Sequence, residues 1–297
     1  MEYADLRVLE AVARHGSMNR AAVELNMVQS NVTARIRILE DQVGTPLFDR
    51  SRRGVVLTAA GQRLLPYASR LSAILKEAYA AARDDGVPRG MLTIGSLETT
   101  AALRLPPILA SFMQAHPSVD LVLTTDTSNA LVEDVLARKL DGAFVAGPVQ
   151  HPDLREETVF QEELMLVTAP GVTSLKALAR LPEVKIIVFR RGCSYRQRLD
   201  NLLAQLGIQT ARHLEFGSLD AILGCVAAGV GISLLPRAVV SPFWQDGRVL
   251  AHELPPQDAR VATMFIHHKD VHPSSALRAF LATARPLPMP PQRMAAE

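Results

Sequence analysis

The chain changes its period once, near residue 85. Up to Arg83 apolar residues recur at helical spacings of three and four, and from Gly90 onward short apolar runs of strand length alternate with helical segments. Asp84-Asp85-Gly86-Val87-Pro88 lies at the change and reads as a linker. A chain of 297 residues is expected to hold two or three domains of ~100–200 residues each. The expected division is a helical unit with a small hairpin over 1–58, a linker helix over 59–88 and an α/β domain over 89–297. In that last part the strand-like runs are Met91–Gly95, Val119–Thr124, Gly142–Ala146, Leu164–Ala169, Lys185–Phe189, Gly231–Leu235 and Val261–His267. Helical segments at Leu103–Gln114, Leu131–Lys139 and Tyr195–Leu206 separate several of them, which predicts an α/β fold with a mostly parallel sheet.

In the helical unit, Leu6, Leu9, Val12 and Ala13 mark the apolar face of a first helix, which His15-Gly16-Ser17 ends. Ser17 suits the cap of a second helix from Asn19 to Leu25, and Asn26 suits a left-handed helix end. A third helix runs from about Gln29 to Gln42 before Gly44-Thr45-Pro46. Leu47–Arg50 and Val55–Leu57 flank Ser51-Arg52-Arg53-Gly54 as a hairpin. Thr58 caps a long helix reaching about Arg83, in which Leu64, Ala68, Leu71, Leu75, Ala78 and Ala82 fall at heptad-like spacing, the pattern of a helix that packs along another. Pro66 leaves a kink or a later helix start open.

On a wheel of the third helix, Val28, Val32, Ile36, Leu39 and Val43 cluster on one side, with Ser30, Thr33, Ala34 and Arg37 opposite and Gln29 and Asn31 at the start. Short polar side chains let a helix approach base edges, and Gln, Asn and Arg carry the paired donors and acceptors that major-groove reading uses. The bland alternative is a solvated helix face. Against it stand the short preceding helix, opened by Asn19, and the hairpin tip with Arg50, Arg52 and Arg53, suited to phosphates. The candidate DNA contacts are therefore Asn19, Gln29, Ser30, Asn31, Thr33, Arg37, Arg50, Arg52 and Arg53.

These segments resemble a known family. Gly16-Ser17-Met18-Asn19-Arg20-Ala21-Ala22-Val23-Glu24-Leu25 is similar to the second-helix signature of LysR-type transcriptional regulators, and Ala34-Arg35-Ile36-Arg37-Ile38-Leu39-Glu40 to their recognition helix. Thr45-Pro46-Leu47-Phe48-Asp49-Arg50 and Leu57-Thr58-Ala59-Ala60-Gly61 resemble their wing and linker entry; later, Gly229-Val230-Gly231-Ile232-Ser233-Leu234-Leu235-Pro236 matches more loosely. Where the family commonly has a cap serine and a following proline, this chain has Val28 and Ser30, and Ser30 adds a hydroxyl to the reading face. The resemblance implies a winged helix-turn-helix, a long linker helix, and a two-lobe α/β effector domain resembling periplasmic binding proteins. Lobe one would be about 91–165 plus 265–288 and lobe two about 166–264, with crossings near Leu166–Thr168 and Phe265–His267. It further implies double-stranded promoter DNA as partner, a small-molecule effector between the lobes, and homodimers or homotetramers.

Hydroxyl-rich segments that follow strands and open helices supply cleft candidates independently. They are Ser96, Glu98, Thr99 and Thr100 after the first strand, Thr127 and Ser128 after the second, and Ser194, Tyr195 and Arg196, next to Cys193, in lobe two. Simple helix capping is the competing reading for each hydroxyl. Arg196 either holds a carboxylate or is a surface charge. Glu98 either favours an amine in the pocket or merely suits a helix start. The effector expected from this set is a small polar metabolite, a carboxylate being one candidate.

Other classes find little support. Ser194 has no GxSxG elbow, the histidines 267, 268 and 272 lack carboxylate or cysteine partners at metal spacing, and Gly229-Val230-Gly231 is neither a dinucleotide fingerprint nor a phosphate loop. Cys193 and Cys225 are far apart and form no CxxC. No enzyme, cofactor or metal is expected. The net charge of +2 is too small to argue for nucleic acid by itself. No apolar stretch approaches the ~20 residues of a membrane span, and the acidic, mixed amino terminus is unlike a signal peptide. A cytoplasmic protein without membrane partners is expected, and a solute-binding module for transport is disfavoured.

Overall fold

The computed structural model describes residues 1–51, 54–178, 180, 183–189, 194–208 and 211–285. The chain splits into two compact units, Met1–Asp84 and Asp85–Glu297. In the first, α1 (Tyr3–His15), α2 (Met18–Glu24) and α3 (Gln29–Val43) precede the hairpin β1 (Phe48–Ser51) and β2 (Gly54–Leu57), and α4 (Ala59–Ala82) closes the unit. The joints follow from backbone chemistry. Gly16 ends α1 in the left-handed region, Ser17 Oγ accepts from Arg20 N–H, Asn26 sits at φ 52° between α2 and α3, and Gly44 ends α3 at φ 75°.

Leu9 and Val12 of α1, Ala21 of α2, Val32, Ile36 and Leu39 of α3, Leu47 just before β1, and Ala68 of α4 are all fully buried together. Val28 and Val43, assigned to the same apolar face by the helical wheel, are instead 61% and 41% exposed. They stand at the cap and the last turn of α3, so face alone does not bury them. The hairpin is fixed through Glu40, whose carboxylate accepts from Leu47 N–H at 2.8 Å and Phe48 N–H at 3.2 Å. Thr58 donates its hydroxyl to the Pro46 carbonyl and accepts from Gly61 N–H, while its own N–H reaches the Leu47 carbonyl. At Gly61 a Cβ would lie 2.2 Å from that carbonyl oxygen, so the first turn of α4 requires glycine there. α4 is continuous through Pro66. Of its apolar stripe, Ala68 is buried, whereas Leu71 is 43% exposed within the single chain.

The second unit runs β3 (Gly90–Ser96), α5 (Glu98–Leu103), α6 (Leu105–Ala115), β4 (Val119–Thr125), α7 (Ser128–Leu136), β5 (Gly142–Ala146) and then the long β6 (Leu154–Thr168). There follow α8 (Leu175–Leu178), β7 (Val184–Val188), α9 (Ser194–Gln205), β8 (Ala211–Glu215), α10 (Leu219–Ala227), β9 (Ser233–Pro236) and α11 (Arg237–Gln245). The chain returns through β10 (Leu250–His252), α12 (Pro256–Ala259), β11 (Arg260–His268) and α13 (Ser275–Ala284). The sheet is mixed rather than mostly parallel. β3 pairs in parallel with β4 and β5, but β11 lies antiparallel to β5 and β6, and β9 and β10 lie antiparallel to β6. β7 and β8 form a parallel pair, joined to the segment before β9 by an Ile186–Ile232 bridge. There Gly231 passes so close that a Cβ would meet the Lys185 carbonyl oxygen at 2.5 Å.

β6 belongs to both lobes. Leu154 to Glu163 pairs with β11, and from Leu164 the strand pairs with β9 and then β10. The crossings therefore fall at Glu163–Leu164 and ahead of Arg260, not at Leu166–Thr168 and Phe265–His267, and all of β11 lies with lobe one. The first half of β6, Leu-Arg-Glu-Glu-Thr-Val-Phe-Gln-Glu-Glu, carries too many charges to read as a strand, because its outward side faces solvent. β8 escapes sequence reading for the same reason, with Leu214 its one large apolar residue. Arg104 clamps the crossing: its Nε and Nη2 donate to the two oxygens of Glu162 at 2.8 and 3.0 Å, and Glu162 is 6% exposed. Beside it Arg237 of lobe two pairs with Glu163 and Glu253. On the outer side of lobe one, Phe144 meets Phe265 edge-on at 5.0 Å and Phe112 meets Phe280 at 5.3 Å, each ring buried.

Replacing Gly61 by alanine should lower the unfolding free energy by about 1–3 kcal/mol, the usual cost of forcing an extra methyl into a packed contact. Urea unfolding of the purified chain measures it; an unmoved midpoint would mean that the Leu47 segment yields freely.

Candidate functional site

Two places in the fold gather side chains that the fold itself does not use. The first is the outer face of α3. Gln29, Ser30, Asn31 and Arg37 are exposed and Thr33 is half-buried, while Val32, Ile36 and Leu39 on the opposite face are fully buried. Asn19 is exposed on α2. The helix separates its arginines by role. Arg35 turns inward, its guanidinium 2.7 Å from Asp5, a carboxylate only 3% exposed that also accepts from Glu2 N–H. Arg37, two residues and ~200° further round, has no ion-pair or hydrogen-bond partner among the described residues. Ile38, 49% exposed, joins this outer surface unforeseen by the wheel.

The scaffold behind that face is fixed electrostatically as well as by packing. Glu24 at the end of α2 takes His15 at 2.6 Å and Arg14 at 2.7 Å, and the His15 hydrogen bond, then Arg14, holds its carboxyl below the usual range. Arg20 donates to the His15 carbonyl. Arg50 lies on β1 opposite Val55. Arg52 and Arg53, the other hairpin candidates, lie outside the described residues.

The second place is a cavity of about 180 Å³ between the lobes of the second unit. Leu97, Glu98 and Thr99 line it from the β3–α5 joint, Thr125, Asp126 and Thr127 from the β4–α7 joint. Lobe two contributes Phe189 after β7, Ser194 and Tyr195 at the start of α9, and Phe216 and Gly217 after β8. All these joints lie beyond carboxyl ends of strands, where open α/β sheets bind ligands.

Of the sequence candidates, Glu98, Thr99, Thr127, Ser194 and Tyr195 are brought together in this lining. The other four are spent elsewhere. Ser96 is buried and donates to the Leu97 carbonyl; Ser128 Oγ accepts from Ala146 N–H, tying α7 to β5. Thr100 is buried one helical step beyond Thr99 and is not in the lining. Arg196 ion-pairs with Glu215 and does not line the cavity either. Cys193 lies outside the described residues. Thr125 and Asp126 sit in a segment that the sequence marks but were not singled out. Phe189, Phe216 and Gly217 were missed, their only signal being a place just past a strand, and one of those strands is β8.

Among the described residues the lining is acidic and aromatic. No cationic side chain lines it among the described residues, so the expectation that Arg196 binds a carboxylate there loses its residue. Among the described residues no group of three or more His, Cys, Asp or Glu could hold a metal, and no helix is long and apolar enough to cross a membrane.

Comparison with known proteins places both units. Residues 3–62 match the family model described as bacterial regulatory helix-turn-helix protein, lysR family, and residues 85–287 match the LysR substrate binding domain. The chain is 42% identical to the HTH-type transcriptional regulator GltR of Bacillus subtilis (strain 168) over 280 residues, 94% of this chain and 95% of that protein. It is 43% identical to the HTH-type transcriptional regulator YofA of Bacillus velezensis over 288 residues, 97% of this chain and 99% of that protein. Among solved structures, full-length CbnR complexed with its target DNA superposes with a TM-score of 0.67 at 26% identity, covering 96% of this chain and 99% of that one.

The two arginines of α3 should separate by experiment. Arg35→Ala leaves Asp5 buried without its cation and should cost about 1–3 kcal/mol of unfolding free energy, whereas Arg37→Ala should stay within about 0.5 kcal/mol of the parent. Equal losses in urea titrations would remove the distinction.

Proposed function

The chain belongs to the LysR family of bacterial transcriptional regulators, and we propose that α3 reads promoter DNA while the inter-lobe cavity holds the effector that controls it. That the protein is a DNA-binding regulator of transcription with an effector domain, and not an enzyme, follows from family membership. The residue roles are our own reading. The observation that carries it is the face of α3: Gln29, Ser30, Asn31, Thr33 and Arg37 stand outward while Val32, Ile36 and Leu39 anchor the helix.

Arg37 and Ser30 read base edges, Gln29, Asn31 and Thr33 support them in the major groove, and Asn19 on α2 contacts the backbone. Arg50, Arg52 and Arg53 of the wing meet phosphates. The protein works in the cytoplasm, with promoter DNA. Its effector is a small polar molecule held by Glu98, Thr99, Thr127, Ser194 and Tyr195. A ligand touching both lobes favours one lobe arrangement by its differential affinity for the two. Hinge motion is borne at Glu163–Leu164 and ahead of Arg260, where the strands change partners. The domain division proposed is 1–58, 59–88 and 89–297, with dimers formed along α4 and dimers pairing into tetramers.

Arg37→Ala should lose about 1–3 kcal/mol of operator affinity and relax specificity at particular bases, while Arg53→Ala should weaken all sequences alike and lower the salt slope by about one. Fluorescence anisotropy on operator and random duplexes checks this, and equal losses on both for Arg37→Ala would overturn its base-reading role. Leu71→Asp should shift the sedimenting species toward monomer and weaken binding to palindromic operators, because Leu71 is an exposed member of the α4 stripe. An unchanged mass with unchanged binding would refute the dimer assignment.

A further inference from the structure

We propose that α3 selects a thymine through its C5-methyl group, which Ile38 and Ala34 cover beside the base that Arg37 reads. This rests on the reading of α3 as the recognition helix, and adds two residues and a base identity to it.

The observation is carbon on a face that is otherwise polar. Ile38 is 49% exposed and Ala34 is exposed, while Val32, Ile36 and Leu39 take the core side of the same helix. Neither Ala34 nor Ile38 belongs to the core of the amino-terminal unit. Residues four apart on a helix are neighbours, about 40° round from one another, so Ser30, Ala34 and Ile38 form one row along the outer side. A single exposed apolar residue is ordinary and calls for no account. Here two are adjacent, on the row that Ser30 begins and with Arg37 alongside. Asp41, exposed one turn past Arg37, has the sign of the phosphates, so the contact ends at Ile38. Isoleucine holds one strongly preferred χ1 rotamer in a helix, which leaves this surface preformed.

The chemistry of the major groove names the partner. Its floor presents hydrogen-bond donors and acceptors, and thymine alone adds a methyl group. Carbon pressed on a donor or acceptor strips that group of water and returns no bond, at a cost. Carbon pressed on a methyl group takes apolar surface on both sides out of water. Arg37 has the fork that matches guanine O6 and N7. Ala34 and Ile38 span about 6 Å of helix axis against a base step of about 3.4 Å, which puts the thymine within about two base pairs of that guanine.

The test starts from the duplex that the full-length protein enriches from a random pool. That duplex is resynthesised with deoxyuridine in place of one symmetry-related pair of thymines at a time, which removes the methyl and keeps every hydrogen bond. Fluorescence anisotropy should show one sensitive position, near the guanine to which Arg37→Ala becomes indifferent. Affinity there should fall about fourfold for each methyl removed, the worth of one buried carbon. Ile38→Ser, at an exposed site, should bind the thymine duplex more weakly and lose its sensitivity to deoxyuridine at that position, the coupling expected of two groups in contact. If no deoxyuridine weakens binding while Arg37→Ala still relaxes specificity, α3 reads DNA and the thymine proposal is wrong. If Ile38→Ser keeps the full sensitivity, the methyl meets another residue and the assignment to Ile38 falls. If Arg37→Ala loses equally on enriched and random duplexes, or no duplex is enriched, the reading of α3 itself fails and takes the proposal with it.

Discussion

One strand serves two half-domains, and the cavity exists because it does. β6 pairs with β11 up to Glu163 and with β9 and β10 from Leu164, so its backbone hydrogen bonds commit it to both lobes at once. A strand cannot slip by one residue without turning every side chain to the other face. The registers of the two lobes are thereby fixed at a point, and the joints after β3, β4, β7 and β8 are left to face one another. The bidentate Arg104–Glu162 pair and the Arg237–Glu163 pair lie on adjacent residues at that switch. Hydrogen bonding to Glu162 raises the Arg104 guanidinium above its usual value, with Glu162 charge acting in the same sense.

In the amino-terminal unit the organising fact is that α3 is only partly claimed by its own core. Val32, Ile36 and Leu39 are fully buried, and Arg35 is tied to Asp5, so two sides of the helix are determined by folding. The remaining side carries short polar residues and Arg37, held in place by a helix that cannot rotate. Glu40 and Gly61 extend the same logic outward. A carboxylate that accepts from two successive backbone amides and a glycine against a carbonyl oxygen set where the wing and α4 begin. Recognition residues are thus presented by packing that none of them contributes to.

The cavity shows the converse arrangement. The hydroxyls at the strand ends around it divide between those consumed by the fold and those that line it. Ser96 and Ser128 have partners in the backbone, while Thr99 is in the lining. Thr127 both caps α7 and lines the cavity, so the capping and ligand readings of a hydroxyl are not exclusive. Arg196 turns to Glu215, an acid on the strand paired beside β7. Among the described residues the charged side chains of the lining are Glu98 and Asp126, which a helix-start argument alone does not anticipate.

The sequence by itself determined the amino-terminal unit nearly to the residue: three helices, the hairpin, the Thr58 cap and the outward face of α3. Those features are local, set by caps, left-handed joints and a 3.6-residue period that adjacent residues carry among themselves. It also marked the linker and most strands of the second unit, since buried strands are apolar runs. What only the tertiary structure decided is everything that depends on a partner distant in the chain. The charged half of β6 and the sparse β8 are strands because neighbours pair with their backbones, not because their side chains are apolar. Val28 and Val43 are exposed at the two ends of α3 although the helical period puts them on its apolar face. Phe189 and Phe216 meet Glu98 and Thr99 across about ninety to a hundred and twenty residues of sequence, and Arg196 is lost to Glu215, because side chains at strand ends are sorted by sheet order, which local period does not encode.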